Sequence, residues 1–320
     1  MSSRLDRPSV QIPSFDGATG WLNSEPLTPE GLRGSVVLVD FWTYTCINWL
    51  RTLPYIRAWS EKYKQHGLVV LGVHTPEFPF EHDFGNVREQ VKAMRIDYPV
   101  AADNDYAVWN AFSNNYWPAL YLVDRDGAFR YEHFGEGRYA ESEQAIQELL
   151  GLDDELVSVV GSDLEAPADW DDLQTPETYV GYARGERFAS GGAAGGERRP
   201  YAIPESLGSN RWALEGEWTI RQSAAESHEA GAAIAFRFHA RDLHVVLAAA
   251  SRGQAVRFRV TIDGQPPGSS HGSDTDEQGE GAIVDPRLYQ LIRQSGGVRD
   301  RTFEMTFLDP GAQVYAFTFG

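Results

Sequence analysis

The segment from Val36 to Trp59, VVLVDFWTYTCINWLRTLPYIRAW, constrains this chain more than any other. It opens with six mostly apolar residues, Val36–Phe41, a pattern typical of a strand buried on both faces. Cys46, the only cysteine in the 320 residues, follows after a short turn. Apolar residues then recur at helical spacing, at Trp49, Leu50, Leu53, Ile56 and Trp59. The one thiol is therefore predicted at the start of a helix, which Pro54 is expected to kink.

The predicted position of Cys46 permits two interpretations. A cysteine at the first turn of a helix lies near unpaired backbone N–H groups and the positive end of the helix dipole. Both stabilise the thiolate, which is the nucleophilic form. The alternative is an inert thiol that packs in the core like a small hydrophobic side chain. Position alone leaves the two interpretations equally open.

Composition and charge exclude several classes of function. The formal net charge of −18 disfavours a nucleic-acid partner. One cysteine excludes an internal disulfide, and the eight histidines form no HxxxH or HxH pair, so neither a metal nor a cofactor is expected. The sequence shows no apolar run of membrane-span length and no signal peptide. We expect a cytoplasmic protein, or an extracytoplasmic one if an upstream segment is missing.

The order of predicted elements indicates two domains. In the first half, strands are predicted at Val36–Phe41, Leu68–Val73, near Tyr98–Ala101, at Ala119–Val123 and at Phe129–Phe134. Helices are predicted at Phe84–Ile96, Asp105–Asn115 and Ala140–Leu150. This alternation indicates a layered α/β domain.

The second half of the chain differs from the first in composition and in hydrophobic periodicity. Residues 151–175 are acidic and poorly periodic, and Ser190–Arg199 has the composition of a flexible loop. Strands are then predicted at Glu217–Arg221, Ala232–His239, Asp242–Ala249, Ala255–Ile262, Thr302–Leu308 and Gln313–Phe319. Short strands without convincing helices indicate an antiparallel β-sandwich.

Several motifs resemble known families. A strand ending in D-F-W at residues 40–42 and followed by Cys46 is similar to the thioredoxin pattern. Trp117-Pro118 resembles the cis-proline that lies against the active-site sulfur of that fold. FWTYTCIN, GVHTPEF, NNYWPALYLVD and FGEG look like the thioredoxin-like part of the DipZ family of cytochrome c biogenesis and disulfide-reductase-related proteins. TPETYVGY and VYAFTFG are similar to the β-sandwich that follows it there, which resembles a carbohydrate-binding module.

The resemblance implies a domain organisation and a class of partner. It implies an α/β thioredoxin fold of the TlpA/redoxin type in residues 1–155. A linker and docking segment follows in residues 156–199. The chain then continues into an all-β, carbohydrate-binding-module-like sandwich in residues 200–320. The implied partner is a protein or a low-molecular-weight thiol or disulfide, and a glycan is a candidate ligand of the C-terminal domain. Candidates for stacking on a sugar, which core packing explains at least as well, are Trp212, Trp218, Tyr179 and Tyr182.

One position departs from the family pattern. The family has C-I-N-C, whereas this chain has a tryptophan, Trp49, in place of the second cysteine. Dithiol–disulfide exchange needs that second thiolate to release the mixed disulfide by intramolecular attack. Cys46 can form a mixed disulfide that the chain itself cannot resolve. We therefore expect a monothiol redox protein, which is an oxidoreductase acting on thiols and disulfides if it is active.

Further candidate site residues surround the thiol. Pro118 is the implied cis-proline. Asp40 matches the buried carboxylate that assists proton transfer at the resolving thiol of thioredoxins, and burial should raise its pKa. Because the resolving thiol is replaced, Asp40 is either a structural remnant or a group that tunes Cys46. Glu77 and His74 follow the second central strand and are expected near the carboxyl edge of the sheet, although His74 fits a strand-end structural role somewhat better.

Two alternatives to monothiol exchange stay open. The first is a non-catalytic interaction module in which Trp49 fills the space of the lost thiol. The second is a one-cysteine peroxidase, because Thr43 and Cys46 resemble the T-x-x-C of peroxiredoxins. A lone thiolate can be oxidised to a sulfenic acid and recovered by an external thiol. The proline of that motif is replaced here by Val39, and the sequence identifies no arginine in the peroxide-binding role.

Overall fold

The computed structural model describes residues 10–191 and 195–320. The chain divides between Ala166 and Pro167 into two compact units, each with its own hydrophobic core. Residues 1–9, and residues 192–194 of the predicted flexible loop, lie outside the described residues. The domain boundaries at residues 155 and 199 stay predictions.

The N-terminal unit contains a six-stranded sheet. Its strands are β1 (Gly20–Leu22), β2 (Val36–Trp42), β3 (Leu68–His74), β4 (Val100–Ala102), β5 (Ala119–Val123) and β6 (Phe129–Phe134). Its α-helices are α1 (Ile47–Tyr63), α2 (Phe84–Ala93), α3 (Ala107–Ala111) and α4 (Tyr139–Leu150). The strand order is β1-β4-β3-β2-β5-β6, with β2 parallel to β3 and antiparallel to β5. This is a thioredoxin fold, which confirms the predicted α/β class.

Strand β2 lies at the centre of the sheet, and all seven of its residues are buried. Val37, Val39 and Phe41 belong to a core cluster that includes Trp109 of α3. Asp40 points away from that cluster, toward α1, because side chains alternate along a strand. Strand β2 therefore places the buried Asp40 carboxylate against α1, the helix that begins after Cys46.

Helix α1 begins directly after Cys46 and continues through Pro54 to Tyr63. The apolar residues predicted for its inner face are all buried, namely Trp49, Leu50, Leu53, Ile56 and Trp59. The predicted kink at Pro54 stays a prediction.

Helix α3 differs from the prediction at both ends, since Asp105–Asn115 was expected to be helical. Tyr106 precedes the helix with φ of 58° and Ser113 follows it with φ of 53°. A left-handed backbone at both ends interrupts a right-handed helix. The Asp103 carboxylate accepts hydrogen bonds from the backbone N–H groups of Val108 and Trp109, which fixes the first turn.

The acidic segment after α4 is held by two anchors in the N-terminal unit. The buried Glu143 carboxylate accepts from the backbone N–H of Val157 at 2.9 Å and from the Tyr63 hydroxyl at 2.5 Å. Arg57 of α1 donates to both carboxylate oxygens of Glu165, at 2.7 and 2.8 Å. These bonds order a stretch that lacks any periodic pattern of its own.

The C-terminal unit is an antiparallel sheet of eleven strands within the described residues. They are β7 (Thr178–Tyr179), β8 (Arg198–Tyr201), β9 (Trp212–Ile220), β10 (Ala225–Ser227), β11 (Ala233–Phe238), β12 (Asp242–Ala249), β13 (Val256–Ile262), β14 (Glu280–Ile283), β15 (Arg287–Arg293), β16 (Arg301–Phe307) and β17 (Ala312–Phe319). The main order is β14-β13-β16-β11-β9-β10-β17-β12-β15, with β7 beside β17 and β8 beside β9. All six strands predicted for this half are present, and the all-β class is confirmed.

This sheet curls so that its two halves, one on each side of β9 and β10, face each other. Phe236 of β11 and Phe317 of β17 lie 4.9 Å apart between ring centroids, although β9 and β10 separate their strands in the sheet. Strand β9 belongs to both halves, because its first part pairs with β11 and its last part with β10. The core fills the space between the halves.

Two of the four candidate sugar-stacking residues pack in the core, which is the alternative that explains such aromatics at least as well. Trp212 and Trp218 are 1% and 0% exposed, and their indole N–H groups donate to the backbone carbonyls of Glu186 and Glu215. These tryptophans form the core, as large aromatic side chains do in a small β unit. Tyr182 is exposed, and a glycan ligand stays a prediction.

No helix in the described part of the chain has the length and apolar character needed to cross a membrane.

Candidate active site

Cys46 is the N-cap residue of α1 and is partly exposed. Its backbone N–H donates to the carbonyl of the buried Thr43 at 3.3 Å, which closes the turn between β2 and the helix. Its Sγ lies 3.7 Å from the carbonyl oxygen of Trp117. The Trp117–Pro118 peptide bond is cis, the geometry that the sequence resemblance implies. The structure therefore brings Cys46, Thr43 and the proline together.

The start of α1 favours a charged thiolate. The first turn contains no acidic residue, and the cysteine side chain provides no capping hydrogen bond to the helix. Backbone N–H groups and the positive end of the helix dipole lie at this position. This position is one at which a thiolate can be stabilised, and the thiol is partly exposed, while the role of Cys46 as a nucleophile stays a prediction.

Trp49, which the sequence resemblance aligns with the second family cysteine, is fully buried. Its indole N–H donates to Oδ2 of Asp40 at 2.9 Å. Its ring stacks on Trp42 with the ring centroids 4.3 Å apart. The tryptophan is thus held by a hydrogen bond and by stacking. The Asp40 carboxylate therefore has the Trp49 indole as its hydrogen-bond partner.

Asp40 is fully buried beneath α1. Burial raises its pKa to about 7, against the lowering effect of the Trp49 hydrogen bond. The second carboxylate oxygen, Oδ1, has no hydrogen-bond partner among the described residues. The group therefore exchanges a proton near neutral pH, although its role as proton acceptor for the thiol stays a prediction.

His74 ends strand β3 inside an aromatic cluster. Its ring stacks on Tyr44 at 5.6 Å and meets Trp42 edge-on at 4.9 Å. Burial lowers the pKa of His74 to about 3, so the imidazole is neutral at physiological pH. This packing agrees with the structural role that the sequence favours for His74.

Glu77 lies on the loop after β3 and is partly exposed. Its backbone N–H donates to Oε2 of Glu81 at 2.6 Å. The structure thus links the backbone of Glu77 to the site, while a side-chain role of Glu77 at the thiol stays a prediction.

Sequence reasoning missed Glu81, the second buried carboxylate near the thiol. It is fully buried and accepts hydrogen bonds from the Thr45 hydroxyl at 2.7 Å and from the Phe78 backbone N–H at 2.9 Å. Burial raises the pKa of Glu81 to about 7 against the lowering effect of its hydrogen bonds. The only sequence signal was one glutamate among the aromatic residues of FPFEH.

Two further features border the thiol. Tyr116 and Phe134 are exposed, with ring centroids 5.2 Å apart, and Tyr116 directly precedes the tryptophan whose carbonyl faces the sulfur. Arg51 of α1 forms a buried ion pair with Glu136 at 3.0 Å, which ties the FGEG loop to the helix. Tyr116 thus adjoins in sequence the residue that faces the sulfur, and the Arg51–Glu136 pair fixes the loop after β6.

The chain is similar to known proteins over both units. Residues 8–132 match the AhpC/TSA family, and residues 175–320 match the family described as thioredoxin like C-terminal domain. Protein DipZ of Mycobacterium bovis is 39% identical over 317 residues, which cover 96% of this chain and 42% of that protein. The chain thus spans less than half the length of that relative.

Two shorter proteins match the N-terminal unit. Thiol-disulfide oxidoreductase YkuV of Bacillus subtilis is 29% identical over 139 residues, which cover 43% of this chain and 93% of that protein. A solution structure of a thioredoxin-like protein in the oxidized form is 30% identical and covers 45% of this chain and 96% of its own, with a TM-score of 0.42.

Proposed function

We propose that this chain, a thioredoxin-fold redoxin unit followed by an all-β unit, is a monothiol redox protein. The observation that carries the proposal is the place of Cys46, which is partly exposed at the start of α1 with its sulfur facing the Trp117 carbonyl beside Pro118. The partner is a protein or a low-molecular-weight molecule that carries a thiol or a disulfide. YkuV, whose name states thiol-disulfide oxidoreductase activity, supports the same class of chemistry.

The proposed reaction has two exchange steps. The Cys46 thiolate attacks one sulfur of a partner disulfide, a mixed disulfide forms, and the second partner sulfur leaves as a thiolate. A thiolate from outside the chain then attacks the partner sulfur of the mixed disulfide. The Cys46 thiolate leaves, and the external thiol retains the partner in a new disulfide. Each step breaks one S–S bond and makes one, so no separate oxidant or reductant is needed.

Because the chain has Trp49 in place of a second cysteine, the resolving thiol must come from another molecule. A family member with a cysteine at this position releases its partner by intramolecular attack. Here the position holds a buried indole that is hydrogen-bonded to Asp40. The mixed disulfide therefore persists until an external thiol arrives, and exposed Tyr116 and Phe134 offer the partner an aromatic contact next to the sulfur.

The test is the stoichiometry and lifetime of the adduct. The full chain is mixed with a chromogenic aromatic disulfide, and we expect one leaving thiolate per chain and a covalent adduct at Cys46 detected by mass spectrometry. The adduct should remain after removal of the reagent and disappear when glutathione is added. Cys46→Ser is the control and should release nothing. An intact chain that releases no thiolate under native conditions contradicts the proposal.

One observation favours a second function, a non-catalytic interaction module. Trp49 fills the place of the missing thiol with a stacked and hydrogen-bonded side chain. Such a side chain stabilises the fold without contributing to thiol exchange. Cys46→Ser separates the two functions in a pull-down. Partners that the variant retains unchanged favour the interaction module, and partners that it loses favour the mixed disulfide.

A further inference from the structure

Two chain segments meet beside the thiol, and one side chain connects them. The first is the turn from Thr43 to Cys46, which leads from β2 into α1. The second is the loop after β3, which contains Glu77, Phe78 and the short 3-10 helix Pro79–His82. Neither segment is held in place by strand pairing. The rings of Tyr44 and Phe80 lie 6.1 Å apart across the two segments, and the hydrogen bonds between them are made by Glu81.

The Glu81 carboxylate uses both oxygens for this bridge. Oε1 accepts from the Thr45 hydroxyl at 2.7 Å. Oε2 accepts from the backbone N–H groups of Glu77 and Phe78, at 2.6 and 2.9 Å. Hydrogen bonds to a charged acceptor are short and strong, and a buried donor left without one is unfavourable. One fully buried side chain thus satisfies three donors from both segments.

Thr45 directly precedes the thiol. A hydroxyl fixed to Glu81 restricts the side chain and backbone of Thr45, and this in turn fixes the peptide group that leads into Cys46. The cysteine benefits from the helix dipole only while it keeps the N-cap position, because that effect falls off within the first turn. Its sulfur also faces the Trp117 carbonyl only in this geometry.

We propose that Glu81 is a positioning residue, which holds Thr45 and thereby keeps the Cys46 thiol at the start of α1. Its effect on thiol reactivity rests on the proposed monothiol function. Its effect on the geometry of the turn does not.

Glu143 provides a matched control in the same unit. It is also a buried carboxylate with several hydrogen bonds, which come from Trp59, Tyr63 and Val157. Trp59 lies 13 residues after Cys46, which is roughly 20 Å along a helix. Removing Glu143 should destabilise the unit in the same way as removing Glu81, but at a distance from the thiol.

The experiment compares four variants of the full chain with the parent. Glu81→Leu and Thr45→Val remove the acceptor and the hydroxyl donor. Glu81→Gln keeps a group that can accept from the backbone N–H groups and donate to Thr45 in place of the carboxylate. Glu143→Leu is the control. The rate of Cys46 alkylation by iodoacetamide at pH 7 and the amide hydrogen exchange of residues 43–50 are measured under conditions in which circular dichroism shows each variant folded.

We expect Glu81→Leu and Thr45→Val to lower the alkylation rate on the order of tenfold, as the loss of one buried hydrogen bond allows. Both should also speed exchange in residues 43–50. Glu81→Gln and Glu143→Leu should stay within about twofold of the parent in both measurements. Parental values in Glu81→Leu and Thr45→Val overturn the inference. A Gln variant as impaired as the Leu variant also overturns it, because charge and not positioning would then be responsible.

The exchange measurement separates this inference from the proposed function. A parent thiol that never reacts with iodoacetamide refutes the monothiol function. Glu81 is then still judged on exchange in residues 43–50: faster exchange in Glu81→Leu supports the positioning role, and unchanged exchange refutes it.

Discussion

The buried Asp40 carboxyl predicts a defined pH dependence of stability. Its pKa is raised from 3.8 to about 7 in the folded protein, chiefly by burial. A carboxyl with a higher pKa in the folded state binds its proton more tightly there, so the folded chain holds more protons between these two values. Its stabilising contribution is complete below pH 3.8. It is lost as the pH rises toward 7 and does not change further above that.

The size of the effect follows from the two pKa values. They differ by about three, and each unit corresponds to 1.36 kcal/mol, so the full effect of Asp40 is about 4 kcal/mol. Asp40→Asn keeps the size of the side chain and an oxygen that can accept the Trp49 N–H. It removes the proton that titrates. The variant should therefore lose this part of the pH dependence and become more stable than the parent near pH 8.

The assay is urea unfolding, followed by tryptophan fluorescence between pH 4 and pH 8. The free energy of unfolding of the parent minus that of Asp40→Asn should fall by about 4 kcal/mol as the pH rises across this window. Glu81 titrates in both proteins and cancels in the difference. Asp126→Asn removes the same charge at an exposed hairpin position and is the control for the change in net charge. A flat difference for Asp40→Asn would refute the reasoning.

Three further predictions concern the thiol and its supports. Trp49→Cys should restore a pair of thiols that closes on oxidation and releases a mixed disulfide without external thiol, as a thiol titration before and after oxidation will show. One equivalent of hydrogen peroxide followed by dimedone should leave Cys46 unlabelled in mass spectra, because exchange and not peroxide reduction is proposed. Arg51→Met should lower stability to urea by about 3–5 kcal/mol, because it leaves the Glu136 carboxylate buried without its partner.

Each of these predictions has a contrary result. A Trp49→Cys variant whose mixed disulfide still waits for glutathione would show that the second position no longer reaches the sulfur. A dimedone adduct at Cys46 would favour the one-cysteine peroxidase. For the ion pair, the double variant Arg51→Met with Glu136→Gln is the control. If it is no more stable than the single variant, an uncompensated charge is not the cause of the loss.

Hydrophobic patterns within short segments predicted the strands and helices whose burial repeats regularly along the chain. Strand β2 is a continuous apolar run, and α1 repeats its buried residues at helical spacing, so both were found from sequence with small errors at their ends. Strand β1, Gly20–Leu22, was missed because its existence depends on pairing with β4, about 80 residues further along the chain. The short strands β10 and β14 were missed for the same reason.

The site residues that belong to a family motif were predicted from the sequence. Those that depend on contacts between distant segments were not. Cys46 and Pro118 come together as the family motifs imply. Sequence could not tell that Glu81 is buried, because its burial depends on hydrogen-bond donors from two separate segments. It likewise could not assign Trp212 and Trp218 to the core, since an aromatic residue in a β-strand fits a core and a binding face equally well.

The anchoring of residues 152–165 has a practical consequence for dividing this chain. A fragment that ends with α4 at Leu150 would keep the whole sheet and all four α-helices of the N-terminal unit. It would nevertheless leave Glu143 without the Val157 amide and Arg57 without Glu165. An independently expressed thioredoxin unit should therefore extend to at least Glu165. A shorter fragment would understate the stability that the same residues have in the full chain.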